Sequence, residues 1–377
     1  MTGEEVMTRE EYCAKIREAI DQIAFEGTFV DYKRYGNGHI NDTFMTHHRL
    51  EDGSIIRCIL QRMNHDTFKH PEQLMENVAG ITEFLKRKIL QNKGDVKRET
   101  MNIIPTKDGK TFYKDSIGSY WRAYRFIEDA SCYDMVEKPD DFYQSAIAFG
   151  HFQKLLADYP AETLYETIPN FHNTPIRFET LRKAVQEDVL GRAKEVTDEI
   201  AFVMEREEFT HTLINLYKEG KLPLKVTHND TKLNNIMIDN RTGKAICVID
   251  LDTIMPGFSV NDFGDSIRFG ATTGAEDEPD LTKVNFDLSL YEIYTKGFLE
   301  GCNGSLTATE IDMLPVGAKM MTLECGIRFL TDYLQGDIYF RIDREKHNLD
   351  RTRTQFKLVS DMEKNWETMH DVVNKYR

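Results

Sequence analysis

The stretch LKVTHNDTKLNNIMIDNRTGKAICVIDLD, residues 224–252, contains two short apolar runs rich in β-branched residues, NIMID and AICVID. Turn-forming residues separate these runs, and this pattern predicts a β-hairpin. If the turn centres on Thr242 and Gly243, Asn235 lies opposite Asp250 at the open end of the hairpin. Opposed Cα atoms in an antiparallel pair lie about 4.5–5.5 Å apart, so the carboxamide and the carboxylate are predicted to meet there.

Asn235 and Asp250 offer the oxygen ligands that a hard divalent cation prefers. Mg²⁺ takes few protein oxygens and keeps its other positions for water and phosphate oxygens, which suits one Asn and one Asp. We therefore predict that Asn235 and Asp250 bind Mg²⁺, and that Asp252 could recruit a second ion.

Asp230 stands five residues before Asn235, on the loop that leads into the predicted hairpin. A carboxylate at this place can accept the proton of an attacking hydroxyl, which typically contributes about 10²- to 10⁴-fold in rate. We predict that Asp230 is the catalytic base and that His228 braces the loop.

The motifs THNDTKLNN and VIDLD resemble those of the aminoglycoside phosphotransferase and choline kinase superfamily. The resemblance implies a nucleotide-dependent kinase that uses ATP and Mg²⁺. It also implies a protein-kinase-like α+β fold with two lobes and an active site in the cleft between them.

The stretch NDFGDSIRFG, residues 261–270, contains the letters DFG that mark the magnesium loop of protein kinases. Asp262 lies 12 residues beyond Asp250, too far along the chain to be the partner of Asn235 in the hairpin. The resemblance instead implies that Asp262 opens a helix and hydrogen-bonds the catalytic loop, a role that Asp265 could share.

The residue patterns divide the chain near residue 130. Short β-like runs separated by turn formers predict a five-stranded antiparallel sheet with helices in residues 1–130, and the strands fall within residues 24–128. Residues 131–377 are predominantly helical in pattern. The resemblance implies that residues 1–130 form an N-terminal nucleotide-binding lobe and residues 131–377 a larger C-terminal catalytic and sugar-binding lobe.

The composition excludes several classes of partner. A net charge of −15 disfavours nucleic acid and anionic membranes. The six cysteines are scattered without a C-x-x-C pair, which argues against a zinc site. The N-terminus has no apolar targeting segment, so we expect a cytoplasmic protein that is a monomer or weak oligomer.

The stretch YGNGHINDTF predicts a loop over the nucleotide phosphates, with Gly36, Asn37 and Gly38 as contacts. The next strand departs from the superfamily, because Gln61 stands where a phosphate-binding Lys or Arg is expected. The end of another strand is predicted to line the adenine pocket with main-chain groups, at Arg125, Phe126, Ile127 and Glu128.

From about residue 24 to 370, the chain resembles N-acetylhexosamine 1-kinases. The resemblance rests on seven motifs: YGNGHIN, THNDTKLNN, VIDLDTIMPG, DFGDSIRFG, ECGIRFL, GDIYF and RTRTQFKLV. That resemblance implies phosphorylation of the anomeric hydroxyl of N-acetylglucosamine or N-acetylgalactosamine. It implies sugar contacts from His39, Asp230, Arg328 and Tyr339.

Two kinds of alternative stay open. Arg328 and Asp332 are four residues apart on a predicted helix, so a salt bridge between them would also explain both residues. The protein could also be a kinase for choline, an aminoglycoside or another sugar, or a nucleotide-binding protein without catalytic activity.

Overall fold

The computed structural model of the chain describes residues 8–36, 40–133, 136 and 138–377. It divides into two compact units, residues 1–130 and 131–377. Among the described helices, none is both long enough and apolar enough to cross a membrane.

The first unit is built on an antiparallel sheet whose strands are β1 (Thr28–Arg34), β2 (Asp42–Arg49), β3 (Ile55–Met63), β4 (Ile103–Ile104), β5 (Tyr113–Lys114) and β6 (Tyr120–Arg125). The strand order is β1-β2-β3-β6-β4, and β5 also pairs with β6. The predicted count of five strands is therefore one too low. The short strands β4 and β5 pair with successive parts of β6, so six strands occupy five positions.

The two faces of this sheet carry different helices. Helix α1 (Arg9–Gln22) begins at the capping box formed by Thr8 and Glu11, and its apolar side packs on the face that contains Phe44 and Leu60. Helix α2 (Pro71–Gln91) lies on the other face, where a guanidinium nitrogen of Arg122 on β6 is 3.8 Å from the sulfur of Met75.

The second unit is mostly helical, and strand β7 (Ala130–Ser131) spans the division between the units. Its other strands are β8 (Lys225–Thr227), β9 (Ile236–Asp239), β10 (Ala245–Val248) and β11 (Met255–Gly257). Its helices are α3 (Pro139–Leu155), α4 (Thr174–Glu187), α5 (Thr197–Met204), α6 (Glu207–Thr210), α7 (Thr212–Lys218), α8 (Ser259–Gly270), α9 (Leu288–Cys302), α10 (Ala308–Asp312), α11 (Leu314–Gln335), α12 (His347–Lys364) and α13 (Trp366–Tyr376).

Two antiparallel strand pairs position the loop that carries Asp230. Strands β9 and β10 form the predicted hairpin, and β8 pairs with β11. The loop runs from the end of β8 to the start of β9. The buried helix α11 packs against α8, α12 and α4, so residues of α8 and α11 are brought to the same part of the unit.

Candidate active site

The loop between β8 and β9 is held by one buried carboxylate at the start of α8. Asp262 accepts hydrogen bonds from the main-chain N–H groups of His228 at 2.9 Å and Asn229 at 2.8 Å. The side-chain amide of Gln153 also donates to Asp262, at 2.8 Å. Burial raises the pKa of Asp262, and these donors oppose that effect because they favour the carboxylate form.

The DFG letters therefore lie in helix α8. The prediction that Asp262 opens a helix and hydrogen-bonds the loop that carries Asp230 is confirmed. Asp265 shares this role, because it accepts the N–H of Thr231 at 2.9 Å and pairs with Arg268 at 3.0 Å. Burial alone would raise the pKa of Asp265, but Arg268, Lys232 and the N–H of Thr231 together outweigh burial and lower it.

His228 braces the loop as predicted. Its ring is buried, and Nε2 lies 2.9 Å from the carbonyl oxygen of Ile249, just beyond β10. A carbonyl only accepts, so Nε2 carries a proton, and the N–H of Asp230 donates to Nδ1 at 3.3 Å. The next residue, Asn229, has a φ of 65°, a left-handed conformation that asparagine tolerates better than most residues.

The Asp230 carboxylate is fixed from both sides. Lys232 Nζ lies 2.7 Å from Oδ1, and the Asn235 amide donates to Oδ2 at 3.1 Å and to the Asp230 carbonyl at 2.8 Å. Burial would lower the pKa of Lys232, but the neighbouring Asp230 carboxylate outweighs burial and raises it. Lys232 is therefore an ammonium ion paired with Asp230.

The register of the hairpin differs from the prediction by one residue. Ala245 pairs with Ile238, which places the turn one residue earlier than predicted, and a bulge between Ala245 and Cys247 recovers part of the shift. The N–H of Ile249 donates to the carbonyl of Asn235 at 2.9 Å. Asn235 therefore lies opposite Ile249, and Asp250 follows directly in a left-handed conformation with φ 59° and ψ 62°. The two predicted metal ligands remain neighbours at the open end of the hairpin, but they are not a directly opposed pair.

The residues at the end of the hairpin fit a magnesium ion with few protein ligands. Asn235 uses its amide nitrogen on Asp230, so its side-chain oxygen faces away from that carboxylate and can serve as a ligand. The described residues contain no group of three or more His, Cys, Asp or Glu side chains that could hold a metal. An ion held by Asn235 and Asp250 would need water and phosphate oxygens to complete its shell, as Mg²⁺ commonly does.

Arg328 and Tyr339 lie together in the second unit. The guanidinium carbon of Arg328 is 5.8 Å from the centre of the Tyr339 ring, 5.3 Å from that of Phe340 and 5.5 Å from that of Phe171. Tyr339 is 66% exposed. A half-buried cation framed by aromatic rings is an arrangement that can bind polar ligands with apolar faces.

The salt bridge considered for Arg328 is absent. Asp332 instead accepts the main-chain N–H groups of Ile338, Tyr339 and Phe340 at 2.8–2.9 Å, and it fixes the segment that carries the aromatic rings. Within the described ranges, Arg328 makes no hydrogen bond and no ion pair.

A buried pair of ionisable residues lies beside Arg328. His172 Nδ1 is 2.8 Å from Glu324 Oε1, and Glu324 precedes Arg328 by one turn of α11. His172 also interacts electrostatically with Asp265, which places His172 near the residues that hold the loop of Asp230. On the other side, burial and the charge of Arg328 lower the pKa of Arg177 on α4.

Three residues of the predicted glycine loop, Asn37, Gly38 and His39, lie outside the described residues. Gly36 is described and has a φ of 76°, which glycine adopts without strain. The roles of all four residues in nucleotide or sugar binding stay predictions.

Gln61 is placed between two hydrogen-bonding partners of the first unit. Its Oε1 accepts from Arg122 Nε at 3.0 Å, and its Nε2 donates to Thr43 Oγ1 at 3.0 Å. Arg122 is fully buried, so a positive charge lies directly behind the uncharged Gln61. Arg62 points to the opposite face, where it contacts Asp42 and the ring of Tyr12.

The segment predicted to line the adenine pocket follows β6 directly. The N–H of Phe126 donates to the carbonyl of Arg57 at 3.3 Å, and the side chains of Arg57 and Glu128 form an ion pair. Arg125 pairs with Glu26 at 2.7 Å, while Ile127 is buried. These contacts fix the segment, and its contact with adenine stays a prediction.

The sequence reasoning missed Lys232, His172 and Arg122. Lys232 had a usable signal, because it stands two residues after Asp230 in the same loop. His172 had none, since its partner Glu324 lies 152 residues away. The contact of Arg122 with Gln61 depends on the strand register that pairs these residues, and no local sequence pattern predicts that register.

Residues 32–294 match the phosphotransferase enzyme family. Among solved structures, the chain is similar to a microcompartment-associated aminopropanol kinase at 14% identity and a TM-score of 0.62, covering 95% of this chain and 98% of that one. It is also similar to a spectinomycin phosphotransferase in complex with ADP and spectinomycin, at 13% identity and a TM-score of 0.55, covering 96% and 99%. For an ethanolamine kinase from Plasmodium vivax, the identity is 14%, the TM-score 0.53 and the coverage 94% and 90%. This likeness confirms the predicted kinase-like α+β fold.

Proposed function

Because the chain belongs to the phosphotransferase enzyme family, we propose that it is a small-molecule kinase that transfers the γ-phosphate of ATP to the anomeric hydroxyl of an N-acetylhexosamine. The observation that carries the kinase proposal is the fixed Asp230 carboxylate beside Asn235 and Lys232. The sugar proposal is supported by the motif resemblance and by the environment of Arg328.

In the proposed reaction, the sugar O1 attacks the γ-phosphorus, its proton passes to Asp230, and ADP leaves. Each Asp230 oxygen keeps a lone pair for this proton, since Lys232 and Asn235 occupy one position on each oxygen. Asn235 and Asp250 would hold Mg²⁺, which when bound neutralises charge on the β- and γ-phosphate oxygens.

The charge near Arg328 favours a neutral acceptor over a cationic one. The similar kinases named above act on aminopropanol and ethanolamine, which carry an ammonium group at neutral pH. Here the Arg328 guanidinium has no carboxylate partner among the described residues, and Arg177 adds a second cation nearby. An ammonium group would be repelled at this place, whereas hydroxyl and acetamido oxygens accept hydrogen bonds from guanidinium groups.

A kinase for an amine or an aminoglycoside remains the second candidate, because the similar structures include such enzymes. A nucleotide-binding protein without turnover is a weaker candidate, since Asp230, Asn235 and Asp250 are all present.

The proposal is tested by measuring ADP release with ATP and Mg²⁺ in the presence of N-acetylglucosamine, N-acetylgalactosamine, glucose, choline, ethanolamine and kanamycin. We expect turnover with the two N-acetylhexosamines and phosphorus NMR signals of a sugar 1-phosphate. Turnover with choline, ethanolamine or kanamycin alone would move the protein to the second candidate. ATP binding without turnover on any acceptor would favour the non-catalytic alternative.

A further inference from the structure

His172 is a hydrogen-bonding residue whose ring is fixed at one end and unpartnered at the other. Nδ1 lies 2.8 Å from Glu324 Oε1, while Nε2 is buried and has no hydrogen-bond partner within the described residues. Its side chain is only 10% exposed. A buried polar atom left without a partner is costly, so such atoms often mark a place where a ligand or water binds.

Glu324 determines which nitrogen of His172 is left without a partner. It is fully buried on α11, and its second oxygen accepts from Thr174 Oγ1 at 2.5 Å. Burial would raise the pKa of Glu324, but His172 and Thr174 outweigh burial and lower it. The ionised carboxylate only accepts hydrogen bonds, so Nδ1 of His172 is the donor and Nε2 is left to face a ligand.

The position of His172 links the catalytic loop to Arg328. The His172 ring lies 4.5 Å from the Phe171 ring, and the Phe171 ring is one of the three that surround Arg328. His172 also interacts electrostatically with Asp265, which accepts the main-chain N–H of Thr231 in the loop that carries Asp230. His172 therefore lies between the Arg328 cluster and a residue that holds the loop of Asp230.

We propose that His172 Nε2 accepts a hydrogen bond from a hydroxyl or amide N–H of the acceptor, and that Glu324 is the positioning residue that aims Nε2 at it. This inference rests on the proposed function. It adds to the acceptor site a residue pair that no sequence motif indicated. With Arg328 it would provide one acceptor and one donor of hydrogen bonds, a combination suited to a polyhydroxylated molecule and poorly suited to a small amine.

Two substitutions separate the proposed contact from a structural role. In His172→Asn the amide nitrogen can replace Nδ1 as the donor to Glu324, but nothing replaces Nε2. In His172→Gln the longer side chain can place its oxygen near the former Nε2, but Glu324 Oε1 loses its donor. Each variant is assayed for kcat and for KM with ATP and with acceptor, and its melting temperature is measured.

We expect His172→Asn to raise the acceptor KM about tenfold, with the KM for ATP within about twofold of wild type and little loss of thermal stability. His172→Gln should show the reverse, with a lower melting temperature and a smaller change in acceptor KM. The decisive readout uses the 3-deoxy, 4-deoxy, 6-deoxy and 2-desacetamido analogues of N-acetylglucosamine. For the analogue that lacks the contacted group, wild type and His172→Asn should have the same KM.

An equal change in KM for every analogue, or no change for any, would overturn the proposed contact. The failure of the sugar proposal would be visible separately, because wild type would then show no turnover on N-acetylhexosamines. In that event the comparison is made with the acceptor identified in the ADP-release panel and its deoxy or desamino analogues, and the same outcomes decide the role of His172.

Discussion

At the scale of single residues, Asp230 differs from the other acidic residues of the catalytic loop region by what its carboxylate faces. Asp262 and Asp265 are buried, and each accepts at least one main-chain N–H of the loop. The Asp230 carboxylate instead contacts the side chains of Lys232 and Asn235. In Asp230→Asn, the single amide oxygen can keep one of these two contacts, and the proton acceptor is lost.

We expect Asp230→Asn to lower kcat by about 10²- to 10⁴-fold. Nucleotide affinity, measured by calorimetry, should change by about twofold or less. Asp280→Asn, which removes the same charge from a surface turn, serves as the control and should keep wild-type kcat. Full turnover in Asp230→Asn would contradict the assignment of the base.

Gln61 and Arg122 bear on how the protein binds phosphate without the expected strand lysine. Arg122 cannot accept a hydrogen bond, so its contact orients the Gln61 amide with Nε2 directed away from the guanidinium. Gln61→Glu would pair with Arg122 but would place a negative charge where Gln61 offers donors. We expect ATP affinity to fall about tenfold in this variant, as the loss of one charge-assisted contact predicts, while adenosine affinity stays unchanged.

The control for Gln61→Glu is Arg62→Gln, which also lowers the net charge by one on the same strand. Arg62 faces α1, where it contacts Asp42. Arg62→Gln should therefore leave the ratio of ATP to adenosine affinity unchanged. An equal loss of adenosine and ATP affinity in Gln61→Glu would indicate a general disturbance of the unit and would exclude a specific role toward phosphate.

At the scale of elements, strong local patterns were sufficient to predict which helices and strands form, but not the register in which the strands pair. The capping box of Thr8 and Glu11, the hairpin β9-β10 and the separation of strand-rich from helical segments follow from neighbouring residues, and the structure confirms them. The turn of the hairpin is centred one residue earlier than predicted, and the bulge between Ala245 and Cys247 compensates for half of the resulting shift, so the predicted register was wrong by one residue at Asn235.

The residues proposed to bind the acceptor were still harder to predict from local sequence. Arg328 and Tyr339 entered the prediction through family resemblance, and their proximity depends on how Asp332 folds the end of α11 back on the helix. His172 and Glu324 meet only because α4 and the loop before it pack on α11. Contacts between residues so distant in the chain leave no periodic pattern in the sequence.

Glu18 links helix α1 to the turn between β5 and β6 by hydrogen bonds. The stability that these contacts provide should depend on pH. The Glu18 carboxylate pairs with Lys15 at 2.8 Å and accepts the N–H of Ser116 at 2.9 Å. The Lys15 ammonium, with Ser116 and Tyr113, lowers the pKa of Glu18 from an ordinary 4.5 to about 2. A lowered pKa in the folded state gives stability above pH 4.5 that is lost as the pH falls toward 2.

We expect Glu18→Gln to lower the free energy of unfolding by about 1 kcal/mol at pH 7, a value reduced for solvent screening. The difference from wild type, measured by urea unfolding, should shrink as the pH falls from about 4.5 toward 2. Glu83→Gln on α2 is the control and should show little difference at any pH, because Glu83 makes only a 3.9 Å ion pair with Lys86 among the described residues. A difference for Glu18→Gln that stays constant with pH would contradict the ionic origin.

At the scale of the whole molecule, the second unit depends on helices that approach closely at glycines. A Cβ on Gly264 of α8 would overlap the carbonyl oxygen of Gly317 on α11, and a Cβ on Gly317 would overlap that of Val260. Between α3 and α9, a Cβ on Gly301 would overlap the carbonyl oxygen of Ile147. The crossing of α8 and α11 also positions Asp262 and Asp265 against the loop that carries Asp230, so the packing of these helices should affect the geometry of the candidate site.

Gly264 is the glycine of the DFG letters, and its role here is to let α11 approach α8. Gly264→Ala forces backbone atoms apart, so we expect a loss of about 1–3 kcal/mol in stability and a melting temperature lower by about 5 °C. Because α8 carries the carboxylates that hold the loop, kcat measured well below the melting temperature should also fall. Gly301→Ala imposes a similar overlap away from the loop and should lower the melting temperature while leaving kcat near wild type. Equal kcat in the two variants would show that the position of α8 does not control the geometry of Asp230.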